Sequence, residues 1–167
     1  MRPLYVLLVY LVAPLVIAHE AWKALFNPAY RGRLGQRLGF VQRAARPGSV
    51  WIHAVSVGEV QAAAGLVSEL QRRYPTLPIV LTTVTPTGSQ RARSLFNEGV
   101  QICYLPYDLP GSVGRFLDRI SPQVVVILET EIWPTLYHQL GQRRIPLLLG
   151  SARVSTRSVD RYRRMAT

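Results

Sequence analysis

Three of the nine carboxylates in this 167-residue chain fall in two short motifs whose spacing suits chemistry. The first is Ser56-Val57-Gly58-Glu59, where an apolar run gives way to helical periodicity. S-x-x-E is the spacing of a capping box, in which serine and glutamate satisfy free amides at a helix start. It also puts a carboxylate where a strand hands over to a helix, with Gly58 leaving room for a substrate, and such a group can act as a general base. The positive helix end favours the ionised form and holds the pKa down, so burial or a nearby anionic ligand would have to offset it. Capping and catalysis both stay open here. In the second motif Glu129 and Glu131 flank Thr130 at the end of the most hydrophobic run. Residues two apart in extended chain share a side, and like charges that close raise one pKa unless a cation pairs with them. For Glu131 the plain alternative is capping of a helix whose first turn holds Pro134. Glu129 completes an apolar strand and has no such role.

Thr85-Pro86-Thr87-Gly88-Ser89 is rich in hydroxyls and opens a helix, which suits an anion cradle or a simple N-cap. His53 sits within an apolar run and reads as a hydrogen-bonded core histidine. His19 and His138 complete no metal-ligand spacing, so no protein-bound metal is expected. Gly58 is followed by none of the further glycines of G-x-G-x-x-G, which argues against a nicotinamide site. The single cysteine, Cys103, allows no disulfide within the chain and reads as a buried thiol.

The elements that must hold these groups follow from periodicity. Short Val- and Ile-rich runs at 50–55, 78–84, 101–106, 124–129 and 145–150 alternate with helical patterns at 58–73, 87–98, 111–120 and 132–141, and a closing helix is expected over 155–165. Five strands separated by helices imply an α/β fold, a Rossmann-like parallel sheet with helices on both faces. In such sheets ligands meet the loops at the carboxyl ends of the strands, which is where both carboxylate motifs fall.

Charge and hydropathy divide the chain further. Residues 1–50 hold seven basic and one acidic side chain, 51–150 hold eight and seven, and 151–167 hold five and one, making the net +11. The body is nearly neutral, so the high pI is not the footprint of a nucleic-acid binder. From residue 3 to 18 no charge occurs; as a helix these 16 positions reach about 24 Å, short of a hydrocarbon core of about 30 Å. The cations follow this segment, and no A-x-A cleavage pattern does, which favours a retained anchor with the remainder on the cytoplasmic side. Three segments result: an apolar anchor helix over 1–22, a basic juxtamembrane segment over 23–49 and a Rossmann-like domain over 50–167. Within the second, Arg31 and Arg33 read either as a solvated linker or as part of a patch facing anionic lipid.

The ordered set WIHAVSVGE (51–59), PIVLTTVTPTGS (78–89), YLPYDLP (104–110), LETEIWP (128–134) and IPLLLGSARVSTRS (145–158) closely resembles the N-terminal half of the Kdo transferases. These are the bacterial 3-deoxy-D-manno-octulosonic acid transferases of lipopolysaccharide assembly. The apolar N-terminus and PAYRGRLGQRLG resemble that family as well. The resemblance implies the acceptor-binding domain of a GT-B glycosyltransferase, whose second Rossmann-like domain holds CMP-Kdo. It implies transfer of Kdo to the lipid A precursor, lipid IVA, at the cytoplasmic face of the inner membrane, and no cofactor beyond the donor substrate. By the same likeness the general base falls on Glu59, and a supporting carboxylate on Glu129 with Glu131 the alternative. With the residue-level reading, the expected substrate contacts are Ser56, Gly58, Thr85, Thr87, Gly88, Arg31 and Arg33. Family members are much longer, so the expectation is a truncated N-terminal half, inactive without a C-terminal donor domain. A reading from another class is a non-catalytic module that binds anionic lipid through its arginines.

Overall fold

β-branched residues suit a pleated surface buried on both sides, and each Val- and Ile-rich run of the sequence becomes a strand. The computed structural model describes residues 2–96, 99–128 and 131–150. A long helix α1 (Arg2–Phe26) is followed by a 3-10 turn (Pro28–Tyr30) and a short helix α2 (Arg33–Arg37). The alternating body is β1 (Ser49–His53), α3 (Val57–Arg73), β2 (Ile79–Thr83), α4 (Pro86–Leu95), β3 (Val100–Tyr104), α5 (Pro110–Ile120), β4 (Pro122–Leu128), α6 (Pro134–Gln142) and β5 (Leu147–Gly150).

All five strands are parallel, in the order β3-β2-β1-β4-β5. Alternate side chains of β1 feed two cores. Val50 and Ile52 pack with Val60, Ala63 and Val67 of α3 and Ala92 of α4, whereas Trp51 packs with Phe116 and Leu117 of α5 and Leu136 and Leu140 of α6. Helices therefore cover both faces, as expected for an α/β sheet. Trp51 meets Phe116 edge-on at 4.9 Å between ring centroids, an arrangement worth about 0.5–1.5 kcal/mol beyond the area it buries. The chain leaves β1 toward β2 on one side and returns to β4 on the other. The crevice at the carboxyl ends of β1 and β4 is thus the point where strand order reverses, the usual ligand position in open α/β sheets.

Element boundaries differ from the periodicity reading in instructive places. β1 stops at His53 rather than at residue 55, because the Val55 amide is taken by the Glu59 carboxylate at 2.6 Å instead of by a neighbouring strand. α6 starts at Pro134 rather than at 132, since a proline fits the first helical position, where no amide is needed. α4 likewise opens on Pro86. Glu129, the end of the expected strand, and the closing helix over 155–165 lie outside the described residues.

The basic stretch after α1 is folded onto the body. Arg33 is 5% exposed, so it is neither solvated linker nor lipid-facing patch. Its guanidinium stacks on the rings of Tyr30 and Tyr104 and donates to the Val84 carbonyl at 2.8 Å. Arg37 donates to the Leu105 carbonyl at 2.9 Å and stacks on Tyr107. Val41 enters the core beside α5. Gly39 adopts φ +88° against α5, where any side chain would run into the Ser112 carbonyl.

α1 runs unbroken through Pro14. It is tied to the body near both ends: the Tyr5 hydroxyl donates to Asp108 at 2.8 Å, and Glu20 pairs with Arg33 at 3.7 Å. The rise of fifteen positions from Tyr5 to Glu20 covers about 22 Å of helix, so α1 lies along the domain rather than standing away from it. Its outer face carries Leu4, Leu7, Leu11, Leu15, Trp22 and Leu25, all exposed.

Candidate functional site

The end of β1 and the start of α3 hold Glu59 at 8% exposure. One carboxylate oxygen accepts from the Val55 amide at 2.6 Å and the other from the Ser56 hydroxyl at 2.9 Å. This is a variant of the capping box. Glutamate reaches back past the N-cap residue, and the Ser56 side chain bonds the glutamate instead of a helix amide. A carboxylate has about four acceptor positions, so each oxygen keeps a lone pair for an incoming hydroxyl. Gly58 is exposed, and a Cβ there would meet nothing within 4 Å, which leaves the approach to the first turn of α3 open.

Past the end of β4, Glu131 is held by two side chains. His53 Nε2 lies 3.1 Å from its Oε2, and Trp133 Nε1 donates to the same oxygen at 2.9 Å. The Tyr137 hydroxyl also bonds the Glu131 carbonyl. The hydrogen bond from His53, reinforced by that from Trp133 and opposed by partial burial, holds the Glu131 carboxyl below the ordinary glutamate value. The group is thus kept as a carboxylate at the sheet's ligand edge. Of the two glutamates in this motif it is the one within the described residues; Glu129 lies outside them.

The Thr85 loop is built as an N-cap. Thr85 Oγ1 accepts from the Gly88 amide at 3.0 Å and donates to the Val55 carbonyl at 3.3 Å, so the amide expected to cradle an anion is already engaged. Gly88 is required by packing, because a Cβ there would press on Thr85 Oγ1 and the Val55 carbonyl. Thr87 is exposed and, with Ser89, Gln90, Arg93, Asn27 and Tyr30, lines a surface cleft of about 580 Å³. Arg31 is exposed beside this region, with its Nε directed at the Ala24 carbonyl, whereas Arg33 turns inward. The structure therefore places Ser56, Gly58 and Glu59 just past the carboxyl end of β1 and Glu131 past β4, bonded to the last residue of β1, and sets the exposed Thr87 and Arg31 near the α1–α2 turn.

Asp108 lies in the loop between β3 and α5. It is 6% exposed, accepts from the Thr135 and Leu136 amides at 2.9 and 2.8 Å, and takes the Tyr5 hydroxyl as a third donor. It caps α6 from a different loop and so fixes the helix that follows Glu131. Its partners lie 27 and 28 residues away, which puts them beyond any local motif. Beside it, between α1 and the body, is an apolar slot of about 310 Å³ lined by Leu8, Val9, Val12 and Val16 on one wall and Tyr107, Leu109 and Trp133 on the other.

The family model for 3-deoxy-D-manno-octulosonic-acid transferase (kdotransferase) matches residues 32–167. The chain belongs to the Kdo transferase family. It is 44% identical over 163 residues to the 3-deoxy-D-manno-octulosonic acid transferase of Haemophilus influenzae, covering 96% of this chain and 38% of that protein. Against the transferase of the same name from Bordetella pertussis it is 40% identical over 140 residues, 81% of this chain and 31% of that one. The chain thus spans well under half the length of these relatives. The family match takes in every strand, both crevice glutamates and the α2 strap, and begins just after α1 and the 3-10 turn.

Proposed function

We propose that this chain is the acceptor-binding domain of a Kdo transferase, and that its part in the reaction is to hold the lipid A precursor, lipid IVA, with one hydroxyl at the β1/β4 crevice. The observation that carries this reading is that Glu59 and Glu131 both lie at the carboxyl edge of the neighbouring strands β1 and β4, within a fold matched by the family. In the transfer, the acceptor oxygen attacks the anomeric carbon of CMP-Kdo, the bond from that carbon to the phosphate oxygen breaks, and CMP leaves. Glu59 takes the hydroxyl proton. Glu131, held as a carboxylate, accepts from the sugar and orients it. Proton transfer of this kind typically contributes a factor on the order of 10²–10⁴. The donor is held by a second Rossmann-like domain in a GT-B arrangement.

The setting is the cytoplasmic face of the inner membrane. The 24 residues Pro3–Phe26 are long and apolar enough to cross a bilayer by length and composition alone. The ties at Tyr5 and Glu20 favour a helix embedded along the membrane surface, its exposed leucines in one leaflet. That position brings the apolar slot, and Trp133 on its wall, to the depth of an acyl chain.

Reconstitution tests the reading. This chain, supplied with the C-terminal region of the Haemophilus influenzae relative, is expected to move labelled Kdo from CMP-Kdo to lipid IVA in vesicles. Absence of product, with lipid IVA still bound, would favour the other class: a lipid-binding module in which Glu59 only caps α3, as its two hydrogen bonds allow.

A further inference from the structure

His53 is fully buried at the last position of β1, and its neighbours fix which nitrogen carries the proton. Trp51 Nε1 lies 2.8 Å from Thr82 Oγ1, and an indole can only donate. The Thr82 oxygen therefore accepts from Trp51 and has one proton of its own to give. Its close partner is His53 Nδ1, at 2.8 Å; the Thr82 carbonyl lies farther from that nitrogen, at 3.2 Å, and already accepts from the Ala54 amide at 2.9 Å. A neutral imidazole that accepts at Nδ1 carries its hydrogen on Nε2, the nitrogen 3.1 Å from Glu131 Oε2. The donors of Trp51, Thr82 and His53 thus run in one direction, from the core under α5 and α6 to the carboxylate at the sheet edge. Trp133 Nε1 donates to that same oxygen, and the Glu131 side chain keeps 29% of its surface exposed.

We infer that His53 is a positioning residue: set as the Nε2–H tautomer by Trp51 and Thr82, it pins Oε2 of Glu131 and turns the remaining oxygen toward a sugar hydroxyl of the acceptor. A histidine serving only to fill the core would leave Glu131 indifferent to its replacement. The inference rests on Glu131 facing the acceptor, as proposed above, but its test needs no substrate.

Nitrogen-15 spectra of the imidazole and carbon-13 titration of the Glu131 carboxyl, recorded on this chain, decide it. Protonated Nε2 at neutral pH is the expected result. His53→Phe is expected to move the Glu131 midpoint up, and His53→Gln, whose amide can donate, to restore part of that change. Thr82→Val is expected to shift the ring away from the Nε2–H form. An unprotonated Nε2 in the wild type, or the same Glu131 midpoint in His53→Phe, would overturn the inference. Should His53→Phe fail to fold, the wild-type tautomer and Thr82→Val still give the answer. Failure of Kdo transfer in the reconstituted system would count against the reaction and leave these spectra unaffected.

Discussion

At the level of single residues, the site depends on carboxylates held in place by specific donors. Asp108 is the plainest case, because its loss orphans two buried amides at the start of α6. Each buried donor left without a partner costs about 1–3 kcal/mol, so Asp108→Ala is expected to destabilise the chain by about 3 kcal/mol, read as a lower urea midpoint at unchanged slope. Glu131 makes a prediction about pH. Its folded value lies below the ordinary glutamate value of about 4.3, so its stabilisation is complete above that value and fades as pH falls through the lower folded one. Urea midpoints measured across the carboxylate range should therefore fall less steeply with acid in Glu131→Gln than in the wild type. The candidacy of Glu59 and Glu131 was legible in the sequence because both follow closely on strands that the apolar runs mark out. Asp108 was not, since its partners are close in space and far along the chain. The link from His53 to Glu131 was equally hidden, joining residues 78 apart.

Among the elements, the strand and helix alternation could be read directly, because parallel strands buried on both faces appear as unbroken apolar runs. What periodicity missed were competitions for backbone groups, such as the Glu59 carboxylate claiming the Val55 amide and ending β1 early. Arginine-rich composition misled more seriously. Arg33 and Arg37 lie against tyrosine rings, where a planar guanidinium stacks well, and they fasten α2 to the strand ends. Gly39 is the hinge of that strap. Gly39→Ala is expected to cost more than about 1 kcal/mol, measured by thermal unfolding, because a positive φ and the Ser112 carbonyl both oppose a side chain. The same substitution at Gly58, which faces open space, should be nearly neutral for stability.

For the molecule as a whole, the +11 charge separates into an almost neutral body and basic flanks, and the fold then divides the N-terminal flank again. Exposed Arg31 and half-buried Lys23 lie near the end of α1, whereas Arg33 is committed to internal packing. Attraction to anionic lipid is worth about 1 kcal/mol per cation near the surface, so vesicle binding should be carried mainly by the apolar face of α1 and only modestly weakened by salt. Sedimentation with phosphatidylglycerol vesicles checks this: deleting residues 2–26 should abolish binding, and Arg31→Ala should reduce it less than tenfold. Proton removal at the carboxyl edge of β1 and β4 is the step assigned to Glu59 in the proposed transfer. Its most direct test is the rate of Kdo transfer by Glu59→Gln in the reconstituted system, with folding checked by near-ultraviolet circular dichroism. A loss of at least about 10²-fold at unchanged fold is the predicted result, and a rate within a factor of about two of wild type would contradict it.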